Sequence, residues 1–137
     1  MDWKLEVVTV PVSDIDRARD FYAEKMGFAV DIDHRVSDEV RLVQLTPPGS
    51  ACSIHLGLRT VDMEPGSIDG VFLVVTDLRA ARTHLVERGV DVGEFQVFDE
   101  GAYRPAQEGE ELDYVGCVFL RDPDGNRWCI QQIPASS

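Results

Sequence analysis

The strongest constraint on this chain is that it repeats itself. Val12-Ser13-Asp14-Ile15-Asp16-Arg17-Ala18-Arg19 returns as Val75-Thr76-Asp77-Leu78-Arg79-Ala80-Ala81-Arg82, with Ser/Thr and Ile/Leu exchanged conservatively. Downstream, Glu24-Lys25 answers to Glu87-Arg88, and each copy closes on a glycine, Gly27 or Gly89. A unit that recurs at long spacing is one supersecondary motif used twice. In each copy a β-branched and aromatic run, Val7–Val12 or Val71–Val75, reads as a strand. Ser13 and Thr76 are the expected N-caps of the following helices, with Asp16 completing a weak capping box in the first. Ile15, Ala18, Tyr22 and Met26, and Leu78, Ala81, Leu85 and Val86, supply one apolar stripe per helix.

Strand-like segments follow each helix: Phe28–His34, Arg41–Leu45 and Cys52–Leu58, then Asp91–Phe98, Val115–Arg121 and Trp128–Ile133. Pro47-Pro48-Gly49 and Asp122-Pro123-Asp124-Gly125 are turns between them. Each half is thus βαβββ. Module 1 covers about 3–60, a connector 61–67 carries Pro65-Gly66, and module 2 covers about 68–133, all within one domain spanning 1–137. The expected fold class is α+β, a curved mixed sheet around a central cup with the helices outside. One helix covers only one face of such a sheet, and concave faces favour ligands.

Thirteen basic against 25 acidic residues give a formal charge of −12, which repels nucleic acid and anionic lipid. No apolar run reaches the ~20 residues that span a bilayer, and the N-terminus has no signal-peptide pattern. Cys52, Cys117 and Cys129 are odd in number and have no CxxC spacing, so reduced thiols in the cytoplasm are expected.

Val10-Pro-Val-Ser-Asp-Ile-Asp-Arg-Ala-Arg-Asp-Phe-Tyr22, Lys25-Met-Gly-Phe28 and Asp122-Pro-Asp-Gly-Asn-Arg-Trp-Cys-Ile-Gln131 together resemble the vicinal oxygen chelate superfamily. That superfamily includes glyoxalase I, extradiol dioxygenases, fosfomycin-resistance enzymes and bleomycin-resistance proteins. The likeness runs over residues 3 to 133 and is closest to actinobacterial glyoxalase-like members. It implies a metal held by four side chains in the catalytic members. Carried over residue by residue, those positions fall on Val7, His55 (or Ser53, on the same strand face), Gly70 and Cys129. Valine and glycine have no lone pair to offer, and two donors are too few for a divalent ion. No metal ligand set and no cofactor are therefore expected, and a divalent metal is disfavoured.

Strand alternation puts Thr9, Phe72 and Gln131 on the cup wall with Val7, Gly70 and Cys129. The ligand-binding candidates are Val7, Thr9, Ser53, His55, Gly70, Phe72, Tyr103, Tyr114, Cys129 and Gln131. His55, as a general base, and Cys129, as a nucleophile, are the catalytic candidates. Against these roles stand a hydrogen-bonded histidine and a buried thiol without chemistry. Cys52, Cys117 and Trp128 read as packing residues, and His34 and His84 as surface residues. Asp99–Tyr114, with six carboxylates against Arg104, is either a lid or an idle acidic loop.

The expected function is glyoxalase-like small-molecule binding without a metal, of the sequestration type, in a small homodimer-forming protein. The partner is a small organic ligand. The alternative is an enzyme: a metal-dependent lyase, isomerase or dioxygenase, or a metal-free acid/base catalyst using His55.

Overall fold

In both copies of the repeat an aspartate a few residues past the first strand starts the helix. In the computed structural model, which describes residues 1–57 and 62–135, Asp14 accepts from the Arg17 N–H at 3.0 Å and Asp77 from the Ala80 N–H at 3.0 Å. Ser13 and Thr76, expected as the caps, each lie one residue too early. A carboxylate at this position satisfies an orphan amide and also complements the positive helix end. The Ser13 hydroxyl is engaged elsewhere, on Asp124, and Asp16 pairs with Arg41 rather than closing a capping box.

The chain divides into two compact units, Met1–Ile68 with Asp122–Asn126, and Asp69–Arg121 with Arg127–Ser137. The class is α+β, with two mixed sheets. Unit 1 runs β1 (Val7–Val10), α1 (Ile15–Asp20), β2 (Ala29–Arg35), β3 (Arg41–Thr46) and β4 (Ser53–Leu56). Its sheet order is β1-β4-β3-β2, with β1 and β4 parallel and the other pairs antiparallel. After α1 the helix widens over Phe21–Lys25, where the Met26 N–H reaches the Phe21 carbonyl at 3.0 Å. This wide turn carries Phe21 and Tyr22 into the core, where Val10, Ala18, Tyr22, Val43, Leu45 and Leu56 are fully buried. Leu58 and Val61, expected to end β4 and open the connector, lie outside the described residues.

Unit 2 runs β5 (Val71–Val75), α2 (Leu78–Glu87), β6 (Gln96–Asp99), β7 (Ala102–Pro105), β8 (Gly116–Arg121) and β9 (Arg127–Gln132), ordered β5-β9-β8-β6-β7. It therefore holds one strand more than the βαβββ pattern. The addition, β7, comes from the stretch read as an unstructured loop. Asp99 pairs with Ala102 across a two-residue turn in which Glu100 and Gly101 both take positive φ, 52° and 85°. That geometry matches the twist of a hairpin. The expected long strand Asp91–Phe98 is reduced to its end, with Val92 making a single bridge to Leu120. On α2, Leu78 and Leu85 are buried, whereas Val86 is half exposed because it has rotated off the stripe. Among the described residues no helix is long and apolar enough to cross a membrane.

The Asp122–Asn126 turn belongs to unit 1 and is built into its core. Asp122 accepts from the Tyr22 hydroxyl at 2.7 Å, from the Asn126 side-chain amide at 2.8 Å and from the Asn126 and Asp124 backbone N–H groups at 2.9 and 3.0 Å. Asn126, fully buried, also donates to the Pro11 carbonyl at 2.8 Å and accepts from the Ile68 N–H at 3.0 Å. A buried carboxylate left short of a donor costs about 1–3 kcal/mol. Tyr22→Phe is therefore expected to lower stability by about 1–3 kcal/mol in urea denaturation. A loss below ~0.5 kcal/mol, the range of an ordinary surface change, would show the network to be dispensable.

Candidate functional site

In each sheet, strand alternation sends one set of side chains under the helix and the other to the opposite, open face. In unit 1 the helix side takes Val8, Val10, Val43, Leu45, Ile54 and Leu56. The cross-strand partners Val7 and Ser53, Thr9 and His55, and His55 and Gln44 share the open face. Much of that face is polar, and several of its polar groups pair with one another. His55 Nε2 lies 2.8 Å from Gln44 Oε1; an amide oxygen only accepts, so Nε2 carries the proton. Thr46 shares a 2.6 Å hydrogen bond with Ser53 and also bonds to Asp31. Four of the expected residues, Val7, Thr9, Ser53 and His55, thus stand together on one wall.

The open face of unit 2 has the same parity and a different chemistry. Phe72 and Cys129 are cross-strand partners, as are Phe119 and Cys129, Cys117 and Gln131, and Phe98 and Tyr103. Trp128 and Ile130 lie on the other side and are buried on the α2 face, as expected of Trp128. The rings form an edge-to-face series: Phe98 to Tyr103 at 5.1 Å, then Tyr103 to Phe119 at 5.1 Å. The Arg127 guanidinium, held by Asp69 at 2.8 Å, sits 4.3 Å over Phe119. Phe98, Tyr103, Tyr114, Val115, Cys117 and Gln131 line a pocket of about 170 Å³. Phe72 is 49%, Phe98 48% and Tyr114 64% exposed. Gly70 adopts φ 93°, and a Cβ placed on it would meet nothing within 4 Å, so the strand start beside Phe72 is open space.

Tyr103, Tyr114 and Gln131 were legible candidates; Phe98 and Val115 were not. The signal for Phe98 was present, since alternation from Gln96 places it on the Cys117 face. It was hidden because the Glu100-Gly101 turn went unrecognised. Cys129 also acquires an unforeseen partner, Cys117, on the neighbouring strand. Both thiols are buried. The hydrogen bond to Cys117 and then burial push the Cys129 thiol up, while the same bond draws the Cys117 thiol down, so the two sulfurs hold their protons unequally. Burial likewise raises Tyr103, which stays a neutral phenol. The thiolate is the form that attacks carbon or binds metal.

Residues 4–130 match the family model described as the Glyoxalase/Bleomycin resistance protein/Dioxygenase superfamily. The chain belongs to this superfamily. Among solved members, TnmS3, an antibiotic binding protein from Streptomyces sp. CB03234, is 30% identical, with a TM-score of 0.74 and 98% of each chain covered. A glyoxalase/bleomycin resistance protein from the same Streptomyces is also 30% identical, with a TM-score of 0.71, over 94% of this chain and 100% of that one. A superfamily member from Sphaerobacter thermophilus DSM 20745 is 27% identical, with a TM-score of 0.73, over 96% and 98%. No curated protein matches the chain. Of the superfamily's metal positions, Val7 and Gly70 carry no donor, which leaves His55 and Cys129. Among the described residues no three His, Cys, Asp or Glu side chains gather to hold an ion.

Two outcomes follow. A thiol reagent such as Ellman's should titrate Cys52, which is partly exposed, and reach Cys117 and Cys129 only in denaturant; fast modification of all three in the native state would contradict their burial. The second concerns Glu110, which grips Arg104 through both oxygens at 2.9 and 2.6 Å. Arg104, followed by the Gln107 N–H, pulls Glu110 from the ordinary 4.5 down to about 2. A depressed carboxylate contributes its full stabilisation above the unfolded value and loses it as pH falls through the folded one. Limited acid proteolysis at 106–111 should therefore be flat above pH 4.5 and rise toward pH 2. Cleavage that rises already near neutrality would sink the assignment.

Proposed function

We propose that this protein captures a small organic molecule without a metal ion, laying a flat part of it against Phe98, Tyr103 and Tyr114 of unit 2. The observation that carries this reading is the half-exposed aromatic pocket on the face of the unit 2 sheet opposite α2. Apolar side chains of this size do not stay wet in such number without a use. A guest that removes on the order of 150 Å² of apolar surface from water gains ~4 kcal/mol. Edge or offset contact with each ring adds about 0.5–1.5 kcal/mol.

Two further features support capture over catalysis. The catalytic candidates have structural partners: His55 Nε2 is bonded to Gln44, and Cys129 is buried beside Cys117 of the neighbouring strand. The donor-poor metal positions speak against the superfamily's Lewis-acid chemistry. The likeness to a Streptomyces antibiotic-binding protein points the same way. The three free cysteines fit action in a reducing cytoplasm. We keep the expectation of a homodimer, for which the exposed Met1, Trp3 and Leu5 offer apolar surface; sedimentation as a monomer alone would remove it.

The test is calorimetric titration of chelator-treated protein with a panel of aromatic antibiotics. At least one should bind with micromolar or tighter affinity, unchanged by added divalent ions. Tyr103→Ala should weaken that binding about tenfold, ~1.4 kcal/mol. Binding or turnover that appears only with a metal would overturn the reading in favour of an enzyme.

A further inference from the structure

Tyr114 is in an unusual state. Its φ is 68°, in the left-handed region that bulky side chains avoid, and its ring is 64% exposed. Such a conformation costs folding free energy and persists only where the surroundings over-determine it. Here they do so from both sides of one residue. The Tyr114 N–H donates to the Gln132 carbonyl at 2.8 Å, and the Gln131 side-chain amide donates to the Tyr114 carbonyl at 2.7 Å. The Gln132 side chain fastens the preceding residue, donating to Asp113 at 2.8 Å, while its own oxygen accepts from the Leu78 N–H at 2.8 Å. The next turn is closed by the Leu112 carbonyl, which accepts from the Gly116 N–H at 2.7 Å, with the Leu112 side chain buried.

None of this is needed to bury the ring, because the ring is not buried. A backbone strained and then clamped to hold an exposed aromatic group at the rim of a pocket makes sense if the group's position matters. The geometry points to Gln131 as a positioning residue: its amide clamps the Tyr114 carbonyl and so holds the Tyr114 ring as a fixed wall of the binding pocket. Gln131 thus acts on a guest through Tyr114, and the pocket is pre-formed, so that ordering costs are met in folding rather than on binding. This inference rests on the small-molecule reading above for its purpose, but the clamp itself can be tested without a guest.

Two variants and their combination make the test. Tyr114→Asn keeps the backbone and removes the ring, and asparagine accepts the left-handed conformation more readily than tyrosine. Gln131→Leu keeps the ring and removes the clamp. In urea unfolding, Tyr114→Asn should raise the midpoint in the wild-type background, because it relieves the strain that the clamp maintains. It should bring no gain in the Gln131→Leu background, where the segment has already relaxed. With an antibiotic that binds the wild type, Tyr114→Asn should weaken affinity about tenfold and Gln131→Leu about fivefold, and Gln131→Leu should cost nothing more once Tyr114 is Asn, whereas a further loss there would show direct contact by Gln131. If the two substitutions are additive in stability, the clamp does not exist, whatever binds. Coupling in stability with Gln131→Leu neutral in affinity would overturn the positioning role alone. Coupling with no guest in the panel would leave the clamp in place and count against the capture reading.

Discussion

The Asp122 carboxylate is the point on which unit 1 closes. It is 5% exposed, and four N–H and O–H donors surround it. Burying a charge is tolerable only when its lone pairs are met in this way. Two of those donors come from Asn126, whose remaining capacity goes to Pro11 and Ile68. The network therefore joins segments more than a hundred positions apart. It also explains the helix start. Asp124, placed by the same turn, takes the Ser13 N–H and hydroxyl, which leaves Asp14 as the cap.

With the helix sides committed to packing, the open faces are where the two copies of the repeat are free to differ. Unit 1 fills its open face with groups that satisfy one another: His55 with Gln44, and Ser53 with Thr46. Unit 2 fills the equivalent face with rings that find no such closure and remain partly wet. A polar wall whose hydrogen bonds are made internally gains little from a guest, because water and guest must both compete with existing partners. An apolar wall gains from any guest of the right shape. The asymmetry between two sheets built on one repeated pattern is what singles out unit 2.

Much of this was readable in the residues. The repeat with its β-branched runs gave the α+β class, and period-two alternation correctly grouped Val7 with Thr9, and Phe72 with Cys129 and Gln131. The misses share a cause: local chemistry with two acceptable readings. Ser13 and Asp14 are both good caps, and only Asp124 decides between them. Glu100-Gly101 is a poorer hairpin signal than Asn-Gly, so β7 was lost, and with it the place of Phe98. The Cys117–Cys129 pair was recoverable, since pairing Arg121 with Arg127 across the Asp122-Gly125 turn sets Cys117 and Cys129 diagonally on one face. Tyr114 was found as a residue but not as a conformation, because nothing in a tyrosine announces a positive φ.

Among the described residues, Glu100 and Tyr114 are the two non-glycine positions with positive φ. Strain scattered through a protein would carry no message, but these two fall on either side of one pocket. Glu100 turns the hairpin tightly enough to set Phe98 opposite Tyr103. Tyr114 is itself a wall of the pocket. Each costs folding free energy that a glycine or asparagine would spare. The helix-facing core, where stability is made, needs neither. Both of the described non-glycine positions with positive φ lie in the segments that carry Phe98, Tyr103 and Tyr114, and strain held there fits a pocket whose walls are set in folding rather than on binding.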